Sequence, residues 1–156
     1  MKRFMDLIRE CMPAVPELYP WDLVEQTQAG QEVLLLDVRE PYEFNAMHIP
    51  GSLNVPRGIL ESAVEYGYEE TEPDLVAARQ RRVVVVCRSG NRSLLAASTM
   101  RMMGYEDVWN LQTGLRGWND YEQPLVDGSG QPVSFESGDD YFTARVRPDQ
   151  MGPKKV

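Results

Sequence analysis

Four consecutive valines, Val83–Val86, run directly into Cys87 and then into the polar stretch Arg88-Ser89-Gly90-Asn91-Arg92-Ser93. β-Branched side chains are restricted at χ1 and suit a pleated strand better than a helix, so the run predicts a strand covered on both faces. After it, Leu94, Leu95, Ala96, Ala97, Met100, Met102 and Met103 fill most of a helix that Gly104 ends. Val33–Asp37 predicts a second doubly covered strand and Asp107–Leu111 a third. Strands that alternate with helices in this way form βα units with right-handed crossovers, which restricts the chain to the α/β class with a parallel sheet. A length of 156 residues holds one such domain.

The remaining elements fit around these strands. Met1, Phe4, Met5 and Ile8 recur at helical spacing with charged residues opposite, which predicts an amphipathic helix docked on the domain and stopped by Pro13 and Pro16. Trp21–Gln28 predicts a helix closed by Gly30, and Pro41 starts a short helix within residues 39–48. A short strand is expected at Leu53–Val55, with helical stretches at 58–66, 73–79 and 114–121. The methionines of the helix before Gly104 are assigned to core packing. Glycines and prolines spaced through residues 127–156 give that stretch the character of a tail, which Phe135, Tyr141 and Phe142 can anchor. The organisation expected is therefore an N-terminal helix extension (1–17), a domain (18–126) and a partly ordered or docked tail (127–156).

Composition excludes several functions. Sixteen Lys and Arg against 24 Asp and Glu give a net charge of −8, which opposes binding to nucleic acid or to an anionic membrane. The longest apolar runs fall far short of the roughly 18–20 residues that cross a bilayer. Asp6, Arg9 and Glu10 interrupt what would be the apolar core of a secretory signal after Lys2 and Arg3, so a reducing, cytoplasmic setting is expected. Two cysteines and a single histidine make neither a disulfide scaffold nor a zinc site, and no phosphate-loop or dinucleotide glycine pattern occurs. Neither metal nor cofactor is expected.

In open parallel sheets ligands sit beyond the carboxyl ends of the strands, here Asp37–Glu40 and Cys87–Ser93. Cys87 ends a strand, Arg88–Asn91 form a loop, and a helix starts at Arg92-Ser93. If the loop curls around the sulfur, its N–H groups and the first turn of the helix converge on one point and favour a thiolate. Arg88 and Arg92 add positive charge, and Gly90 permits the tight backbone. A cysteine packed as a small hydrophobe would lack these polar neighbours. His48 precedes Ile49-Pro50-Gly51 on another loop, where bridging that turn suits it better than acting as a base. Cys11, on the apolar side of the first helix, is assigned to packing, with a resolving thiol as the second reading. Arg39 and Arg57 are candidates to steer anions.

The segments LLLDVREPYEF (34–44), HIPGSLNVP (48–56), CRSGNRS (87–93) and GLRGW (114–118), in this order and at these separations, resemble the single-domain rhodanese sulfurtransferases over about residues 18–126. The resemblance implies an open parallel sheet of about five strands with helices on both faces. It also implies that Cys87 carries sulfane sulfur as a persulfide in a ping-pong transfer. Arg88, Ser89, Gly90, Asn91, Arg92 and Ser93 would then form the substrate cradle, with Asp37 and Arg39 supporting the pocket without reacting. Trp118 would anchor the last helix. A small anionic donor such as thiosulfate, a cyanide or thiol acceptor, and a sulfur-carrier protein are the partners this implies, and the two arginines favour thiosulfate over mercaptopyruvate as donor. A relay that delivers sulfur to one protein acceptor is the alternative. Cysteine-dependent phosphatases and arsenate reductases share the fold, but their loops place five residues between Cys and Arg, whereas four separate Cys87 from Arg92.

Overall fold

The computed structural model describes residues 1–153, so the last three residues of the expected tail lie outside the described residues. Its centre is a five-stranded, wholly parallel sheet in the order β1-β5-β4-β2-β3. These strands are β1 (Glu17–Leu18), β2 (Leu34–Asp37), β3 (Leu53–Asn54), β4 (Arg82–Val86) and β5 (Asp107–Leu111). The helices between and around them are α1 (Phe4–Cys11), α2 (Pro20–Gln28), α3 (Pro41–Ala46), α4 (Leu60–Ala63), α5 (Pro73–Val76), α6 (Asn91–Met102) and α7 (Gly114–Asp120). After them come an antiparallel pair, β6 (Leu125–Val126) and β7 (Pro132–Val133), and a last helix, α8 (Phe135–Phe142).

The valine run explains the layering. Side chains alternate along a strand, and Val83 and Val85 enter one core with Ile8, Leu60, Leu75, Leu94 and Met100. Val84 and Val86 enter the other, with Leu23, Leu115, Trp118 and Phe142. All four are fully buried, so the central strand is covered on both faces by helices, as the α/β reading requires. Gly30 and Gly104 follow α2 and α6 at φ +82° and +94°, a left-handed conformation that suits glycine at a helix end.

Three places differ from the sequence reading. β1 is a two-residue edge strand that pairs with β5, too short to show a period, and it straddles the boundary placed at residue 18. Met100 is core as expected, but Met102 is largely exposed, because a helix twelve residues long cannot turn every apolar position towards the sheet. The region after residue 126 holds β7 and α8. Phe142 is buried, Tyr141 packs beside the second core, and Phe135 stays exposed. Ser134 caps α8, its hydroxyl accepting from the Ser137 N–H at 3.1 Å. At the other end of the chain α1 packs through Ile8 and half-buried Cys11, while Phe4, Met5 and Leu7 remain exposed.

Candidate active site

Cys87 follows the last residue of β4, at the carboxyl edge of the sheet, and is almost wholly buried. The loop after it turns at Gly90, whose φ of +97° lets the backbone fold back. The Gly90 N–H then donates to Cys87 Sγ at 3.2 Å, and Ser93 Oγ lies 3.2 Å from the same sulfur. The start of α7 holds this turn from outside. Leu115 N–H donates to the Cys87 carbonyl at 2.9 Å and Arg116 N–H to the Arg88 carbonyl at 3.0 Å. Those carbonyls are thereby engaged by α7, and Gly90 is the loop residue whose N–H donates to the sulfur.

Gly114 makes this close approach possible. A Cβ there would stand 2.5 Å from the Cys87 carbonyl oxygen and 2.6 Å from the Arg88 carbonyl, and its φ is +59°. Only backbone could yield, so Gly114→Ala is expected to displace the loop, destabilise the fold by about 2–3 kcal/mol and lower any chemistry at Cys87 by at least tenfold. A melting curve and an alkylation rate for Cys87, measured on one preparation, check both parts.

Three of the cations near the loop have partners within the chain. Arg92 places Nη1 and Nη2 on the two carboxylate oxygens of Glu43, each at 2.8 Å. Arg88 Nη2 donates to the Phe142 carbonyl of α8 at 2.9 Å. Arg39, fully buried, forks onto Asp37 with Nε at 3.0 Å and Nη2 at 2.7 Å, and its Nη2 also donates to the Met47 carbonyl. Arg39 is thus too deep to steer anions. It instead fastens β2 to the end of α3, the helix that presents Glu43 to Arg92. Arg57 lines a cleft of about 400 Å3 with Arg92 and Glu40.

Burial pushes the Glu43 carboxyl up, but hydrogen bonds from Arg92 and from the Glu40 N–H outweigh it and hold the group below its ordinary 4.5. A carboxylate with a depressed folded-state pKa stabilises the protein above the unfolded value, and loses that contribution as pH falls through the folded one. Glu43→Gln is therefore expected to cost about 1–2 kcal/mol at neutral pH. Its deficit against wild type should shrink below pH 4.5, which paired denaturant titrations would read.

The structure has Cys87, Ser89, Gly90, Asn91 and Ser93 on one loop and helix start, and Asp37, paired with Arg39, in register with Val86 on the neighbouring strand. Two residues absent from the sequence reading join the site, Glu43 of α3 and Asn110 of β5. Asn110 is buried, with its amide against Ser93 and Gly90. His48 Nδ1 lies 2.8 Å from the Phe44 carbonyl and its ring stacks on Phe44, which ties it to the α3 turn. Beside the loop, a cleft of about 490 Å3 with Trp21, Arg116 and Tyr121 meets one of about 300 Å3 with Met5, Ile8 and Met12. Ser89 and Thr113 line both. Among the described residues no helix is long and apolar enough to cross a membrane.

Comparison with known proteins matches residues 21–121 to the model of the Rhodanese-like domain. A Bacillus subtilis protein described as "Putative sulfur carrier protein YrkF" is 30% identical over 105 residues, 67% of this chain and 51% of its own. A Schizosaccharomyces pombe protein described as "Putative thiosulfate sulfurtransferase, mitochondrial" is 32% identical over 103 residues, 64% of this chain and 72% of its own. The chain thus spans between about half and three quarters of these two relatives. Among solved structures, the human single-domain sulfurtransferase TSTD1 superposes with a TM-score of 0.58 at 28% identity, covering 68% of this chain and 96% of that one. A Rhodopseudomonas palustris protein of unknown function, described as a possible tyrosine phosphatase, superposes with a TM-score of 0.72 at 26% identity, over 80% and 95% of the two chains.

Proposed function

Because the chain belongs to the Rhodanese-like domain family, whose members matched above include sulfurtransferases and a sulfur carrier, we propose that it moves sulfane sulfur through a persulfide on Cys87. The observation that carries this reading is the placement of Cys87 Sγ at the focus of a tight loop, with the Gly90 N–H donating to it and Ser93 Oγ beside it. The Cys87 thiolate attacks the outer sulfur of a donor such as thiosulfate. A Cys87 S–S bond forms, the bond between that sulfur and the sulfonate sulfur breaks, and sulfite leaves with the electron pair. The persulfide rests against the loop amides until cyanide or a thiol attacks its terminal sulfur and the Cys87 thiolate departs. Neither step requires a base beside Cys87, in keeping with a histidine committed to the α3 turn.

Thiosulfate is the proposed donor because Arg88 keeps N–H groups beyond its bond to Phe142, and because Arg116 lines the cleft at Ser89. A protein acceptor in place of a small thiol is the second reading, supported by the clefts that meet at Ser89 and exceed a small donor in size. Phosphate transfer is disfavoured by the four-residue spacing to Arg92 and by the engagement of both its terminal nitrogens with Glu43. The test is initial-rate kinetics of thiocyanate formation from thiosulfate and cyanide. Parallel double-reciprocal lines, with a higher kcat/KM for thiosulfate than for mercaptopyruvate, are expected. Release of phosphate from an aryl phosphate at a comparable rate would overturn the proposal.

A further inference from the structure

The buried polar network behind Cys87 has a single consistent direction of hydrogen bonding. Asn110 Nδ2 lies 3.0 Å from the Gly90 carbonyl and 3.3 Å from Glu17 Oε2, two groups that only accept from it. Its Oδ1 therefore faces Ser93, 2.5 Å from Ser93 Oγ, and an amide oxygen only accepts. The one proton of the Ser93 hydroxyl is thus committed to Asn110. What Ser93 turns towards Cys87 Sγ, 3.2 Å away, is a lone pair that can accept S–H but gives nothing to a thiolate. Cys87, Ser93 and Asn110 are all buried, so these bonds are made within the protein rather than to bulk solvent.

We propose that Asn110 is a positioning residue that competes with Cys87 for the Ser93 hydroxyl proton and thereby sets how readily the nucleophile ionises. While Asn110 holds the Ser93 proton, the Cys87 thiolate is left with the Gly90 N–H alone. The persulfide places its charge one sulfur further out, so the same clasp burdens the free thiolate more than the loaded form. The inference rests on the reading of Cys87 as the nucleophile and adds to it a residue from a different strand. The charged groups around the network are Arg88 on the loop, Arg92 of α6 with Glu43 of α3, the Asp37–Arg39 pair at the end of β2, Glu17 of β1, and Arg116 of α7 in the cleft at Ser89. Arg88, Arg92 and Arg39 keep their partners when Asn110 is replaced.

The experiment is the pH dependence of Cys87 alkylation by iodoacetamide in a Cys11→Ser background, read by intact mass. Asn110→Leu frees the Ser93 proton for the sulfur. Its alkylation midpoint is expected to fall by about half to one pH unit, with a rate at pH 7 about three- to tenfold higher. Adding Ser93→Ala should cancel the gain, whereas a gain that came only from the altered field of Glu17 would persist. Should Asn110→Leu not fold, Ser93→Ala alone decides. Its midpoint should not rise, because wild-type Ser93 gives the sulfur no proton. An unchanged or raised midpoint in Asn110→Leu, persistence of the gain in the double variant, or a midpoint raised by about a unit in Ser93→Ala would each overturn the proposal. Loading of sulfur from thiosulfate, followed on unalkylated portions of the same preparations, reports separately on the reading of Cys87 as the nucleophile.

Discussion

Replacement of Cys87 by serine is expected to lower sulfur transfer by about a thousandfold or more while leaving the fold in place. The site would keep its loop, because the Gly90 N–H can donate to a serine hydroxyl as it does to Sγ, and the grip of α7 on the Cys87 carbonyl involves backbone alone. A hydroxyl is not ionised at neutral pH and cannot hold sulfane sulfur, so the loss would be chemical. Cys11→Ser supplies the contrast. Cys11 packs half-buried against the first core, and its loss should cost about 1 kcal/mol of stability with turnover retained. Rates of thiocyanate formation and melting curves for the three proteins check the prediction. Equal losses of turnover in both variants would move the sulfur to a different route.

Arg39→Ala is expected to destabilise the protein by about 3–5 kcal/mol, a melting point lower by about 10 °C. Both members of the Asp37–Arg39 pair are fully buried, and the guanidinium also satisfies the Met47 carbonyl. Removing it leaves the Asp37 carboxylate in a dry interior with only the Arg39 N–H, at 3.1 Å, still donating to it. Arg39→Met, which fills the volume without the charge, should recover little, because the unpaired carboxylate remains. The double change Asp37→Leu with Arg39→Met should be milder than either single one, because no charge is then stranded. A double variant as unstable as the sum of the singles would show that the pair matters through shape alone. Since Arg39 also holds the end of α3, the single variants should loosen Glu43 from Arg92 and reduce activity beyond what the unfolded fraction explains.

The parts of the fold that local chemistry dictates were legible in the chain. Val83–Val86 announced a doubly buried strand through β-branching alone, and Cys87–Ser93 announced a tight loop between a strand end and a helix start. Glu43 and Asn110 were not legible. Glu43 reaches Arg92 across 49 positions of sequence, and Asn110 reaches Ser93 across 17, because the sheet order sets β4 between β2 and β5. A glutamate in a short helix and an asparagine in a strand carry no pattern that names such partners. Nor did FESGDDYF read as a helix, with a glycine at its centre and two adjacent aspartates. Packing supplies the reason. Gly138 lets α8 approach so near Asn119 of α7 that a Cβ would stand 2.5 Å from its amide oxygen, and Phe142 fills the second core. The Ser134 cap was the one local signal for it. The fate of Arg88 follows from the same packing, since the carbonyl it meets belongs to α8.

The most direct test of the account is the intact mass of the protein after incubation with thiosulfate and removal of excess donor. The account predicts a gain of one sulfur atom in wild type and in Cys11→Ser, none in Cys87→Ser, and return to the starting mass on addition of cyanide with release of thiocyanate. A sulfur adduct that survives in Cys87→Ser, or a wild-type protein that gains no sulfur from thiosulfate or from a persulfide donor, would contradict it.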